Sequence, residues 1–233
     1  MLQETKQPYH FGVGFIFAPA VVVTSELFLN FQKALANLDP ELAFPTVNRD
    51  IKSGAFQLVR TGSAPLQVQL QFPGPPIAQL VIAASEPNRS KEIFVREADC
   101  VVGAFAQTFG NPAQVIGRQC TVRYLYSVRR GHAFKYLWEQ RLGRSENEFA
   151  AFERPILGGG LRLVLPPRPN MPNDAMVELK FESLMMDSRM LFLECSMAWN
   201  HPVPGSDLRP EELIDEVEAL IEDKACPFIQ CEV

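Results

Sequence analysis

Four arginines, Arg118, Arg123, Arg129 and Arg130, bracket a stretch that also carries Tyr124 and Tyr126. A guanidinium is a planar fork of donors that grips carboxylates and phosphates, and a phenol adds one more donor. In an acidic chain, such a group is a candidate site for a small anionic ligand or for an acidic segment of another protein. The competing expectation is that Arg123 pairs with a carboxylate on a neighbouring strand while the other arginines stand in water. His10, His132 and His201 are scattered, so no catalytic residue is assigned and no imidazole pair is read from the sequence. The chain holds no Gly-x-Ser-x-Gly turn, no Walker A run and no Gly-x-Gly-x-x-Gly after a strand. Gly158, Gly159 and Gly160 lead into a strand rather than a helix N-terminus, so they read as a flexible lead-in and not as a phosphate cradle.

Cys100, Cys120, Cys195, Cys226 and Cys231 lie mostly inside apolar patterns and read as small buried hydrophobes of a reducing compartment. Cys226 and Cys231 could pair or hold a metal, but two further ligands at suitable spacing are missing, so no metal site and no cofactor is assigned. Net charge is −5 across 233 residues, with 47% hydrophobic and 21% charged side chains. That balance is globular, and it argues against a general nucleic-acid or anionic-membrane binder, which depends on clustered Lys and Arg. No apolar run approaches a membrane span, and the first seven residues lack the apolar core of a leader, so a cytoplasmic protein is expected.

The elements that must position these groups follow from period. Alternation over 177–181 and 191–199, split by Met186-Asp187-Ser188-Arg189, predicts an antiparallel hairpin with Val177, Leu179, Phe181, Leu191, Leu193, Cys195, Met197 and Trp199 on a core. Strands are likewise expected over 10–17, 54–60, 66–72, 77–84, 114–128 and 161–165. The 114–128 strand has Cys120, Val122, Tyr124 and Tyr126 on one face and Thr121, Arg123 and Leu125 on the other, and is long enough to bend or bulge at Gly117. Amphipathic helices are predicted from Thr24 or Ser25 to Asn37, from Ser90 to Phe109, and over 208–224 with Pro210 in the first turn. A short helix is expected around Phe134 to Leu142, and 166–172, rich in proline, reads as a stiff connector.

Antiparallel strands roofed by helices define an α+β protein. The expected arrangement is two packed subdomains, 1–128 and 129–233, with one continuous domain as the alternative. The segment Ile116-Gly-Arg-Gln-Cys-Thr-Val-Arg-Tyr-Leu-Tyr126 resembles the form (V/I)-x-R-I-G-x-R-Y-(I/V)-N of a sporadically distributed bacterial family of about 250 residues with no assigned activity, and a shared fold would imply no shared role. Arg118, Arg123 and Tyr124 stand at that motif's two Arg and Tyr, while Gln119-Cys120 replaces Ile-Gly and Tyr126 replaces Asn. The expected function is a non-enzymatic interaction or assembly protein of bacterial type, with a conflict or accessory system as one setting for it, that binds another protein or itself through a sheet face or edge. Phe192, Met185, Met186 and Met190 are the apolar surplus behind that expectation. The alternative is a binder of, or enzyme for, a small anionic ligand in a cleft between the halves, held by Arg118, Arg123, Tyr124, Tyr126, Arg129 and Arg130.

Overall fold

The computed structural model describes residues 6–62, 64–85, 89–128 and 131–230, with the backbone alone at Glu146 and Gln230. Arg129, Arg130 and Cys231 lie outside the described residues. Strand β1 (Gln7–Ala18) leads to helix α1 (Ser25–Leu38), whose first turn is capped by the Thr24 hydroxyl accepting from Leu27 N. Strands β2 (Thr46–Arg49), β3 (Phe56–Arg60), β4 (Leu66–Gly74) and β5 (Ile77–Ser85) follow, and then α2 (Lys91–Phe109), capped by Ser90. Strand β6 (Gln114–Ser127) comes next. A short α3 (Ala133–Lys135) runs on as a wide π turn, Tyr136–Arg141, and a 3-10 turn spans Glu146–Phe152. Strands β7 (Gly160–Leu165), β8 (Met176–Ser183), β9 (Met190–Trp199) and the short β10 (Val203–Pro204) lead to α4 (Pro210–Leu220). A π turn, Ile221–Ala225, and α5 (Cys226–Gln230) end the described chain.

The fold is α+β, and the sheet is antiparallel in every pairing, in the order β2-β3-β4-β5-β1-β6-β9-β8-β7 with β10 beside β6. The halves 1–128 and 129–233 therefore share one continuous sheet, because β6 pairs with β1 on one side and β9 on the other. Divided between α2 and β6 rather than at residue 128, the chain repeats one plan in each half. Outward from the seam run β1, β5, β4, β3 on one side and β6, β9, β8, β7 on the other, and α2 and α4 follow β5 and β9. The repeat fails at the rim: β3 is covered by β2, whereas nothing among the described residues pairs with the outer side of β7.

Alternation decides what each face carries. Phe11, Val13, Phe15 and Phe17 of β1 join Leu80, Ile82, Cys120, Val122, Leu193 and Cys195 under the helices. Phe31 of α1 meets Phe56 at 5.4 Å, and Phe105 of α2 meets Phe17 at 5.4 Å. The opposite face is largely polar, with Gln57, Gln69, Val81, Gly14 and Gln119 in one cross-strand row and Thr121 bonded to Ser196 at 2.9 Å in the next. The bend or bulge expected at Gly117 takes the form of a β1–β6 register shift beside it: Gly117 pairs with Ile16 and Val115 with Phe17, leaving Ile116 as the extra residue.

Candidate functional site

Period-two geometry separates the residues of the expected anion site. Arg123 lies on the open face, where its Nε donates to Glu194 of the directly opposite β9 residue at 2.5 Å, and its guanidinium sits over Phe192. Lys180 donates to the other Glu194 oxygen at 2.6 Å. Burial alone would raise the Glu194 carboxyl, but the bonds and charges of Lys180 and Arg123 hold it below its ordinary value. Tyr124 and Tyr126 point the other way, into the helix layer: Tyr124 donates to Glu218 of α4, and Tyr126 lies 3.3 Å from Cys226 Sγ. Both phenols are pushed up, first by burial and then by these partners. Arg118 shares the helix face with Trp199, stacks on its indole, and meets His201 Nε2 at 2.6 Å. Arg118, Arg123, Tyr124 and Tyr126 are thus divided between two faces and engaged by internal partners.

His10 belongs to the same open-face row as Arg123 and Glu194. Its ring folds across Gly12, where a Cβ would stand 2.9 Å from Nε2, and its Nδ1 meets Ser85 Oγ at 2.7 Å. Burial, and then the Arg123 charge, lower its pKa to about 4, partly offset by Glu194. The unfolded imidazole titrates near its ordinary 6.5, so between these values the unfolded chain binds the extra proton. Stability present above pH 6.5 is therefore expected to fall on the order of 1–3 kcal/mol as pH drops to 4. Urea midpoints at pH 7 and pH 4.5 check this. His10→Gln should flatten that slope to the part left by His201, lowered by burial and by Arg118, and by carboxylates such as Glu194 and Glu178 that are held below their ordinary values; an unchanged slope would contradict the assignment.

The acidic face of α4 is largely used within the chain. Lys91 at the start of α2 bonds Asp215 at 2.7 Å and Glu218 at 3.0 Å, Trp199 Nε1 donates to Glu216 at 3.4 Å, and Lys6 meets Glu222 at 2.9 Å. The connector 166–172 is closed on itself: Arg168 gives Asp174 two side-chain bonds of 2.8 Å, which hold that carboxyl well below the usual range. The triple glycine serves close packing. A Cβ on Gly159 would stand 2.9 Å from the Phe134 ring, and one on Gly160 would enter the Phe181 carbonyl of β8.

Two features were not read from the sequence. An aromatic cavity of about 410 Å³ opens beside α3, floored by Phe134, Trp138 and Phe149, with Lys135 and Arg154 balanced by Glu139 and Glu153 at its rim. Trp138 and Phe149 have centroids 5.0 Å apart. It lies wholly within residues 132–156 and includes no member of the Arg and Tyr set. The second is the position of β7, expected as a strand over 161–165, at the rim of the sheet. Ser183 N donates to Gly159 O at 3.0 Å, so residue 159 faces β8, and antiparallel alternation turns the main-chain groups of Leu161, Leu163 and Leu165 inward too. Those of Gly160, Arg162 and Val164 point away from the sheet. Val164 is 54% exposed, Leu165 and Met176 are exposed beside it, and Met186 in the β8–β9 turn is 95% exposed.

Comparison with known protein families finds no match for this chain, and comparison with curated proteins finds none either. Among the described residues no helix is long and apolar enough to cross a membrane, and no group of three or more His, Cys, Asp or Glu is placed to hold a metal.

Proposed function

We propose that the chain is a non-enzymatic interaction or assembly protein, of the bacterial kind that its 116–126 segment resembles, and that it makes its contact through the bare edge of β7. The halves 1–128 and 129–233 then act as two α+β units of one sheet, the first closed at its rim by β2 and the second open. The observation that carries this reading is an apolar edge strand, Gly-Leu-Arg-Leu-Val-Leu, with its outer main-chain donors and acceptors unpaired among the described residues. Proteins usually blunt such an edge, since it is a template for another strand. The other rim is blunted: β2 is four residues long, and its Arg49 is tied to Ser25 Oγ at 3.0 Å.

Val164→Pro tests the proposal. The Val164 N–H points away from β8, so proline removes an outward donor while leaving the β7–β8 ladder whole. Immobilised wild-type protein is expected to retain specific proteins from its native lysate, its own copy included, and V164P with an unchanged circular dichroism spectrum is expected to lose at least nine-tenths of each. Equal retention by both would remove the β7 edge as the contact.

A further inference from the structure

We infer that the strand completing the β7 edge is β7 of a second copy of this chain, related by a two-fold axis at Leu163, so that two sheets become one. This rests on the edge-contact reading above and names its partner. The internal repeat supplies the first reason. Strand β7 occupies the place that β3 holds in the other half, and β3 is finished there by one further antiparallel strand, β2. The second half lacks a β2 of its own among the described residues, which leaves room for one strand of the same polarity relation.

The register supplies the second reason. In a two-fold pair of antiparallel strands, facing residues share a side of the sheet and their positions add to a constant. An axis at Arg162 would set guanidinium directly against guanidinium, which repels. An axis at Val164 would set Arg162 against Pro166 and shorten the overlap. An axis at Leu163 sets Leu163 against its own copy, Leu161 against Leu165, and Arg162 against Val164. This register leaves the bridge from Arg162 to Glu178, 2.9 Å, undisturbed on the open face. It also joins the outward main-chain groups of Arg162 to those of Val164, the two residues whose donors and acceptors β8 does not use. On the helix face it closes six leucines into one strip, and these are the side chains that the helices leave partly uncovered: Leu161 and Leu163 are half-buried and Leu165 is exposed. The edge is self-complementary in charge, polarity and hydrogen-bond phase.

Size exclusion with light scattering at tens of micromolar protein, and mild oxidation of Leu163→Cys with peptide mapping, form the test. The expected mass is about twice 26.1 kDa, falling to the single-chain value in V164P. Facing residues of this type approach closely, so L163C is expected to yield a 163-to-163 disulfide in more than half of the chains, and Arg162→Cys far less. A single-chain mass for the wild type without that cross-link overturns the self-pairing. If V164P still abolishes capture of other proteins in that event, the edge-contact reading stands and only the named partner is wrong. Growth into larger assemblies, as pairing of β7 with β2 of the next copy would give, also overturns it.

Discussion

Replacing Glu97 by alanine is expected to cost about 3–5 kcal/mol of folding stability, enough to move the urea midpoint by about 1 M or more. Glu97 lies on the buried side of α2 at 3% exposure, and both of its oxygens are held by arginines. Arg60 of β3 donates to Oε1 at 2.6 Å, and Arg89, itself buried, donates to Oε2. The same two guanidiniums gather the surrounding main chain: Arg60 bonds Ala64 O at 2.6 Å, and Arg89 bonds Pro65 O at 3.0 Å. The carboxylate therefore ties the start of α2 to the turn between β3 and β4. Alanine leaves two positive charges facing each other out of water, and glutamine can answer only one of them, so E97Q should rank between alanine and wild type. Glu211→Ala on the exposed face of α4 is the control and should stay within about 0.5 kcal/mol. A midpoint for E97A that matches this control would mean that the pair of bridges contributes nothing net.

Phe11→Ala should be about as damaging, at about 3–5 kcal/mol, because the ring is fully packed and its neighbours are fixed. Phe11 stacks on Phe94 of α2 at 5.6 Å and stands edge-on to Tyr124 of β6 at 6.3 Å. Tyr124 in turn bonds Glu218 of α4, so one side chain in the first half supports the helices of both halves. Both tryptophans, Trp138 and Trp199, belong to the second half, which gives the test its resolution. With one continuous sheet, the tryptophan fluorescence transition of F11A is expected to shift together with the circular dichroism transition. If the fluorescence midpoint kept its wild-type value while circular dichroism lost an early component, the two halves would unfold independently and the seam between β1 and β6 would be weaker than its pairing implies.

Helix limits and strand faces were legible before any coordinates. Thr24 and Ser90 cap α1 and α2, and the odd residues of β8 and β9 are buried, with Glu194 the one even residue buried beside them, because caps and alternation depend on neighbours only two to four positions away. Strand β2 was not legible, since Thr46–Arg49 is short and mostly exposed and so carries no burial period. The 3-10 turn at Glu146–Phe152 hid in a polar stretch for a similar reason. Glu97 did leave a signal: it falls on the apolar stripe of Phe94, Ala98, Val101 and Phe105, where a carboxylate needs a buried partner. The identities of its partners did not show, because Arg60 is 37 residues away and Arg89, though 8 away, precedes α2 and so lies off the helical spacing. Alternation also sets Arg123 and Tyr124 on opposite faces, which is why the arginine and tyrosine cluster suggested by proximity in the chain is divided in space.

By itself, then, the sequence determined the class of fold, the side of β1, β4, β6, β8 and β9 that meets the helices, and the ends of α1 and α2, since all of these are set by local periodicity and by side chains bonding their own backbone. Tertiary structure alone decided the strand order, the pairing of Arg123 with Glu194, the aromatic cavity beside α3, and which rim of the sheet is closed. The physical reason is that a strand alternates in the same way whether it has two neighbours or one. Only the folded chain shows that β3 has β2 beside it and that β7 ends the sheet.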